Sequence, residues 1–310
     1  MEKYYSNGKL LLTGEYVVLD GATSLAVPTK FGQDLIIEPI KESQLIWASF
    51  TNTGECWFEA TFDLPKLRLT SATFNADKEG NTETIAETLS DILHEAKKLN
   101  PNFLNSDDGF IVKTNLTFPQ NWGLGSSSTL INNIANWANA NPFTLLWNAF
   151  SGSGYDIACA SNNSPILYQL KEQQQPIVSE VKFNPSFKDD LFFVYLNQKQ
   201  NSREGIAQYK EHREEAKKLI PEINELTQEF LKANSSMNLA NIIIEHEQII
   251  SSIIKQIPVK KRLFPDYFGE IKSLGAWGGD FVLATGNENT STYFKEKGYT
   301  TIVPYKEMIL

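Results

Sequence analysis

The chain is poor in the residues from which metal centres and disulfide frameworks are made. Among its 310 residues are two cysteines, Cys56 and Cys159, and three histidines, His94, His212 and His246. Two unmatched thiols in a chain of this size point to a reducing cytoplasm and not to a disulfide scaffold. No ligand spacing relates these cysteines and histidines, which argues against a zinc or iron site. Positive charge is also short: 28 Lys and Arg against 37 Asp and Glu leave a net charge of -9. Such a balance repels nucleic acid and anionic membranes, so an anionic substrate would need local basic groups. No apolar run approaches the ~18 residues of a bilayer span, and the opening MEKYYSNGK has no apolar signal core. One long segment lacks charge of either sign, since every residue from Thr114 to Tyr155 is neutral.

At 41% hydrophobic residues, the chain is long enough for two domains with cores of their own. Short β-rich runs are expected at Leu10–Thr13, Ser24–Val27, Leu35–Ile37, Leu45–Phe50 and Cys56–Phe62, with Asn52-Thr53-Gly54 turning a hairpin between the last two. Thr82–Leu99 has helical spacing at Ile85, Leu89, Ile92, Leu93 and Ala96, stopped by Asn100-Pro101. Strand returns at Phe110–Thr114. The polar Gln173-Gln174-Gln175-Pro176 is a candidate linker, which divides the chain into 1–175 and 176–310. Beyond it come a buried strand at Leu191–Leu196, two or three helices between Ser202 and Gln256, and strands at Phe281–Ala284 and Thr301–Val303. The last helix presents Leu239, Ile242, Ile243, Ile249, Ile250 and Ile253 on one face, with His246 on that stripe as a core or groove histidine. The irregular alternation of strands and helices fits two α+β layers better than a doubly wound sheet.

Three glycine-bearing segments punctuate this pattern: Ser6–Gly21 (SNGKLLLTGEYVVLDG), Pro119–Thr129 (PQNWGLGSSST) and Leu274–Thr285 (LGAWGGDFVLAT). In the middle one, Gly123-Leu124-Gly125-Ser126-Ser127-Ser128 runs into a helical pattern at Leu130, Ile131, Ile134 and Trp137. Unpaired N–H groups at a helix start, approached through glycines, form an anion pocket suited to polyphosphate. The loop is neither a Walker A sequence nor GxGxxG, and by itself it reads equally well as a capped helix start. Lys9 precedes an apolar strand, where most lysines are solvated edge charges. Asp156, in Gly152-Ser153-Gly154-Tyr155-Asp156, reads as an N-cap or as a group that takes a proton from a substrate hydroxyl. Lys260-Lys261-Arg262 reads as a solvated face or as an attractor of anions.

In this order the segments resemble the motifs of the GHMP kinases, the family of galactokinase, homoserine kinase, mevalonate kinase and phosphomevalonate kinase. Gly14-Glu15-Tyr16 and Gly278-Gly279-Asp280 are most similar to the mevalonate and phosphomevalonate branch. The resemblance implies a two-domain α+β fold, with a half like domain 2 of ribosomal protein S5 followed by a ferredoxin-like half. It implies a kinase using ATP and Mg2+ on a small anionic metabolite, mevalonate or phosphomevalonate. Lys9 and Asp156 match the family's catalytic pair. Gly123, Leu124, Gly125, Ser126, Ser127 and Ser128 match its ATP phosphate loop, with Ser127 touching Mg2+. Glu15, Tyr16, Gly275, Ala276, Gly278 and Gly279 match its substrate-lining positions. Two departures stand out. The neutral stretch lacks the glutamate that family members place after the phosphate loop for Mg2+, and Trp277 replaces a glycine, where its ring is expected to narrow the site. A catalytically silent binding protein of the same fold, and a kinase for homoserine or a sugar, stay open as alternatives, and so does the oligomeric state.

Overall fold

The structure is a computed structural model that describes residues 1–74, 82–106, 108–198, 202–275, 277 and 279–310. It is mixed α+β, with one large mixed sheet and one small sheet. The chain divides into two compact units. The first comprises Met1–Gly8, Phe31–Gln120 and Leu124–Ser161, and the second Lys9–Lys30, Asn121–Gly123 and Asn162–Leu310.

In the first unit, strands follow the order Arg68–Phe74, Cys56–Asp63, Gln44–Phe50, Gly109–Leu116 and then residues 31–40 of the long strand Ser24–Ile40. Gln44–Phe50 runs parallel to Gly109–Leu116, and the other neighbours are antiparallel. Side chains alternate across a strand with period two. Leu35 and Ile37, Leu45 and Trp47, and Phe58, Ala60 and Phe62 therefore point to one side of the sheet, and they share a core with Leu89, Ile92 and Leu93 of the helix Thr82–Leu99 and with Ile131 and Ile134 of the helix Ser126–Trp137. The three- and four-residue spacing of the helical members places them on one face.

In the second unit, Ile271–Ser273, Phe281–Thr285, Leu191–Tyr195 and Ile302–Pro304 lie side by side in that order, all antiparallel to their neighbours. Helices connect Leu191–Tyr195 to Ile271–Ser273, and the helix Thr290–Glu296 connects Phe281–Thr285 to Ile302–Pro304. This β-α-β-β-α-β path is the ferredoxin-like arrangement. The third glycine segment follows Ile271–Ser273 and ends in the strand Phe281–Thr285. Ser24–Ala26 pairs with Ile166–Tyr168, and the strand Ile166–Lys171 forms a hairpin with Gln175–Glu180. Of the stretch read as a linker, Gln173 and Gln174 lie in the turn of that hairpin, and Gln175 and Pro176 begin its second strand opposite Lys171 and Leu170. Four helices, not two or three, occupy the region between Ser202 and Gln256: Ser202–Glu211, Arg213–Lys218, Ile220–Lys232 and Ser236–Ile254. The breaks at His212 and Leu219 carry neither glycine nor proline, and Pro221 sits in a first turn, where a missing N–H costs nothing. Among the described residues, no helix is long and apolar enough to cross a membrane.

Candidate active site

Lys9 lies on the strand Glu2–Leu11, half-buried, and its Nζ donates to the carbonyl oxygen of Gly123 at 2.9 Å. The ammonium is thus held on the first glycine of the candidate phosphate loop. Gly123 has φ +66°, and a Cβ there would fall 2.4 Å from both Cγ and Oδ2 of Asp280. Only a residue without a side chain admits that carboxylate. The neighbouring residues are fixed as well: the Tyr195 hydroxyl donates to Asn121 O at 3.0 Å, and the Trp122 ring meets Phe281 edge-on at 5.2 Å.

The rest of the loop belongs to the first unit. Leu124 is fully buried, and Gly125, at φ +90°, is the N-cap of Ser126–Trp137 without a side-chain capping bond. Ser128 Oγ turns back to donate to Gly125 O at 2.8 Å, Thr129 Oγ1 donates to Gln33 Oε1 at 2.7 Å, and Ser127 is exposed. Ser126 is half-buried. Leaving the first-turn amides uncapped by side chains suits an anion at this helix start. In the same unit Asp156 is half-buried in the first turn of Tyr155–Ser161, and its Oδ1 accepts from the Ile157 amide at 3.1 Å.

The first motif continues into a buried charge network that the sequence did not disclose. Glu15 is 1% exposed and accepts from Lys272 Nζ at 2.5 Å. Lys272 also donates to Glu247 Oε1 at 3.2 Å and Ser273 O at 2.8 Å, while Ser273 Oγ donates to Glu247 Oε2 at 2.8 Å. His246 Nε2 accepts from the Gly14 amide at 3.1 Å and lies 3.6 Å from Glu15 Oε2. Burial pushes the carboxyls of Glu15 and Glu247 up against the pull of Lys272, Glu247 to about 7. Burial, aided by Lys272, holds the His246 imidazole well below its ordinary value, hence neutral.

Tyr16 opens the short helix Val17–Asp20 at φ 64° and stacks on Tyr209 with centroids 6.2 Å apart. Trp277 is 1% exposed in a cluster with Tyr16, Val17, Tyr209, Ile250 and Ile253; its ring is core, not a projection from the loop. Gly275, at φ +60°, has open space where a Cβ would go, and Gly279 is buried. Ala276 and Gly278 lie outside the described residues. Lys260 of the basic run is paired with Glu270. Lys9 and Gly123 are thus brought together, and Glu15 is committed to Lys272. Sequence reasoning passed over Lys272 and Glu247 and gave Asp280 no role in the site, whereas His246, read as a core or groove histidine, is buried as expected. The one sequence signal for the residues passed over was polarity at buried spacing, as with Glu247 beside His246 on an isoleucine face.

A polyphosphate fits these residues in one respect, since the helix start bears no side-chain cap; the space where a Cβ of Gly123 would lie is taken by the Asp280 carboxylate. Among the described residues, no group of three or more His, Cys, Asp or Glu could hold a metal ion, so a cation would draw much of its shell from phosphate and water.

No protein-family model matches the chain, and no curated protein matches it in sequence. Solved structures match it in fold. The mevalonate kinase of Methanococcus jannaschii is similar with a TM-score of 0.68 at 15% identity, over 96% of this chain and 94% of that one. A Streptococcus pneumoniae phosphomevalonate kinase in complex with phosphomevalonate and AMPPNP gives 0.64 at 17%, over 96% and 95%. Lactococcus lactis galactokinase complexed with galactose gives 0.63 at 13%, over 97% and 92%. At these identities the likeness is one of fold, and it extends over nearly the whole chain. The protein has the fold of the GHMP kinases.

Proposed function

We propose that the protein is a phosphotransferase that moves the γ-phosphoryl group of ATP to a small anionic metabolite, with mevalonate or phosphomevalonate the favoured acceptors. The observation that carries this reading is the Lys9 ammonium resting on the Gly123 carbonyl, a fixed cation at the glycine loop of a kinase fold. In the proposed mechanism, the backbone of Gly123–Ser128 holds nucleotide phosphates and Ser127 offers its hydroxyl to Mg2+. Bound MgATP supplies the phosphoryl group. Lys9 contributes positive charge where negative charge develops on transfer. Asp156 takes the proton of an acceptor hydroxyl; with phosphomevalonate, whose phosphate is already ionised, Lys9 would matter more than the base. Glu15, Tyr16, Gly275, Ala276, Gly278 and Gly279 are assigned to the acceptor side.

A second reading, a nucleotide- or metabolite-binding protein without turnover, is favoured by the absence of any carboxylate from Thr114 to Tyr155. The galactokinase likeness keeps a sugar among the acceptors to be tried. The test is a phosphotransfer screen of the purified protein with ATP and Mg2+ over mevalonate, phosphomevalonate, homoserine and simple sugars. Turnover on one acceptor supports the kinase and names its substrate. Nucleotide binding without turnover on any of them would favour the silent protein.

A further inference from the structure

Asp280 closes the third glycine loop and has no part in the mechanism above. It is one of the few non-glycine residues at positive φ, +53°, a conformation that aspartate tolerates better than most residues do. Its backbone is pinned on both sides: its amide donates to Gln198 O, and its carbonyl accepts from the Leu196 amide, each at 2.8 Å. The pinning delivers the carboxylate onto Gly123, where an added Cβ would lie 2.4 Å from Oδ2 and 2.9 Å from Oδ1. Burial and then the Asp280 charge raise the hydroxyl pKa of Tyr195, the residue that ties down Asn121.

A carboxylate in this place is unexpected beside a loop meant for phosphate. Alone it repels a polyphosphate. A divalent cation between the two reverses the sign of the interaction, and Mg2+ is ordinarily held by one or two carboxylates together with substrate phosphates. The neutral stretch Thr114–Tyr155 offers no carboxylate for that purpose. We propose that Asp280 supplies it from the other end of the chain, as a ligand, directly or through water, of the divalent cation that accompanies a nucleotide phosphate at Gly123. The proposal rests on the reading of Gly123–Ser128 as a nucleotide loop. Its consequence is that Asp280 makes nucleotide binding conditional on the metal.

The test is calorimetric titration of the full-length protein with AMPPNP, in Mg2+ and in EDTA, for the wild type, Asp280→Asn and Asp280→Gly. Both substitutions tolerate the left-handed backbone, so the fold is retained. The wild type should bind at least about tenfold more tightly with Mg2+, a factor equivalent to ~1.4 kcal/mol. Both variants should lose that ratio, binding the metal-free nucleotide more tightly than the wild type does and gaining little from Mg2+. Mn2+ paramagnetic resonance on the nucleotide complex gives a second readout: cation retention at the site should fall in Asp280→Asn. Wild-type Mg2+ dependence preserved in both variants overturns the assignment while leaving the nucleotide loop intact. Absence of nucleotide binding by the wild type in either buffer overturns the functional reading and this proposal together.

Discussion

Lys272 and Lys9 are both lysines of the second unit held by hydrogen bonds to a glycine-bearing motif, and they differ in access to water. Lys272 is fully buried between Glu15 and Glu247. Lys9 is half-buried, with its ammonium on a backbone carbonyl. A desolvated ammonium between two carboxylates is a structural group, because removing it strands charge in the core. An ammonium that water still reaches can meet a ligand. The same side chain thus anchors the first motif in one place and, in the proposed function, meets the transferring phosphoryl group in the other.

The sharpest way to break this comparison is to delete each cation. Lys272→Met should destabilise the protein by ~3–5 kcal/mol, the usual cost of stranding buried partners, read as a shift in the urea midpoint. Lys9→Met should leave that midpoint nearly in place and lower turnover by ~10²-fold or more, as should Asp156→Asn. Because Lys9 and Asp156 would act as a unit, the double variant should lose far less than the product of the two single losses. A large stability loss in Lys9→Met with unchanged activity per folded molecule would erase the distinction.

The glycines repeat the contrast on a smaller scale. A Cβ on Gly14, at φ +83°, would sit 2.1 Å from Ser24 Oγ, whereas one on Gly275, at φ +60°, meets nothing within 4 Å. Gly14→Ala should therefore cost ~2–4 kcal/mol from strain and overpacking together, and Gly275→Ala only the ~1–2 kcal/mol of the left-handed backbone. Denaturation curves of the two variants compare the sites directly.

The smallest expected effect is one of pH. Folded Glu247 titrates at about 7, against an ordinary 4.5, so in that interval the native state binds more protons than the unfolded chain. Its contribution to stability must fall as pH rises through the window. His246 has the opposite sign: its folded value is depressed below 6.5, so its contribution is present above the unfolded value and is lost as pH falls. Replacing Glu247 by Gln removes the first slope and retains the second. The variant should gain on the wild type between about pH 4.5 and about pH 7. Parallel stability profiles for the two proteins across that interval would remove Glu247 as the source.

Local periodicity made much of the fold legible. The helix Thr82–Leu99 has the limits its apolar spacing implies, and Cys56–Asp63 and Phe281–Thr285 lie within a residue of expectation. Ser24–Ile40 was less visible, being one strand of 17 residues where two short ones were expected. Pro28 interrupts the apolar pattern but does no harm, because it falls between the stretch paired with Ile166–Tyr168 and the stretch paired with Gly109–Leu116. Arg68–Phe74 was missed because an edge strand with mostly exposed side chains has no buried face to reveal it. At the site, Lys9 of the first motif meets Gly123 of the second, a contact between two segments that the sequence singled out separately. What the motifs could not carry was the partnership of Glu15 with Lys272 or of Gly123 with Asp280, since pairings at such sequence separation leave no periodic trace.

Trp122 gives the loop an optical property. Its ring is adjacent in sequence to Gly123 and rests on Phe281 and Tyr195, while Trp47 and Trp277 are sealed in cores. On the proposed function, a nucleotide arriving at Gly123 would alter the polarity and quenching around one half-buried indole and leave those two sealed indoles untouched. Intrinsic fluorescence should then report loop occupancy without any label, with Trp122→Phe as the blank.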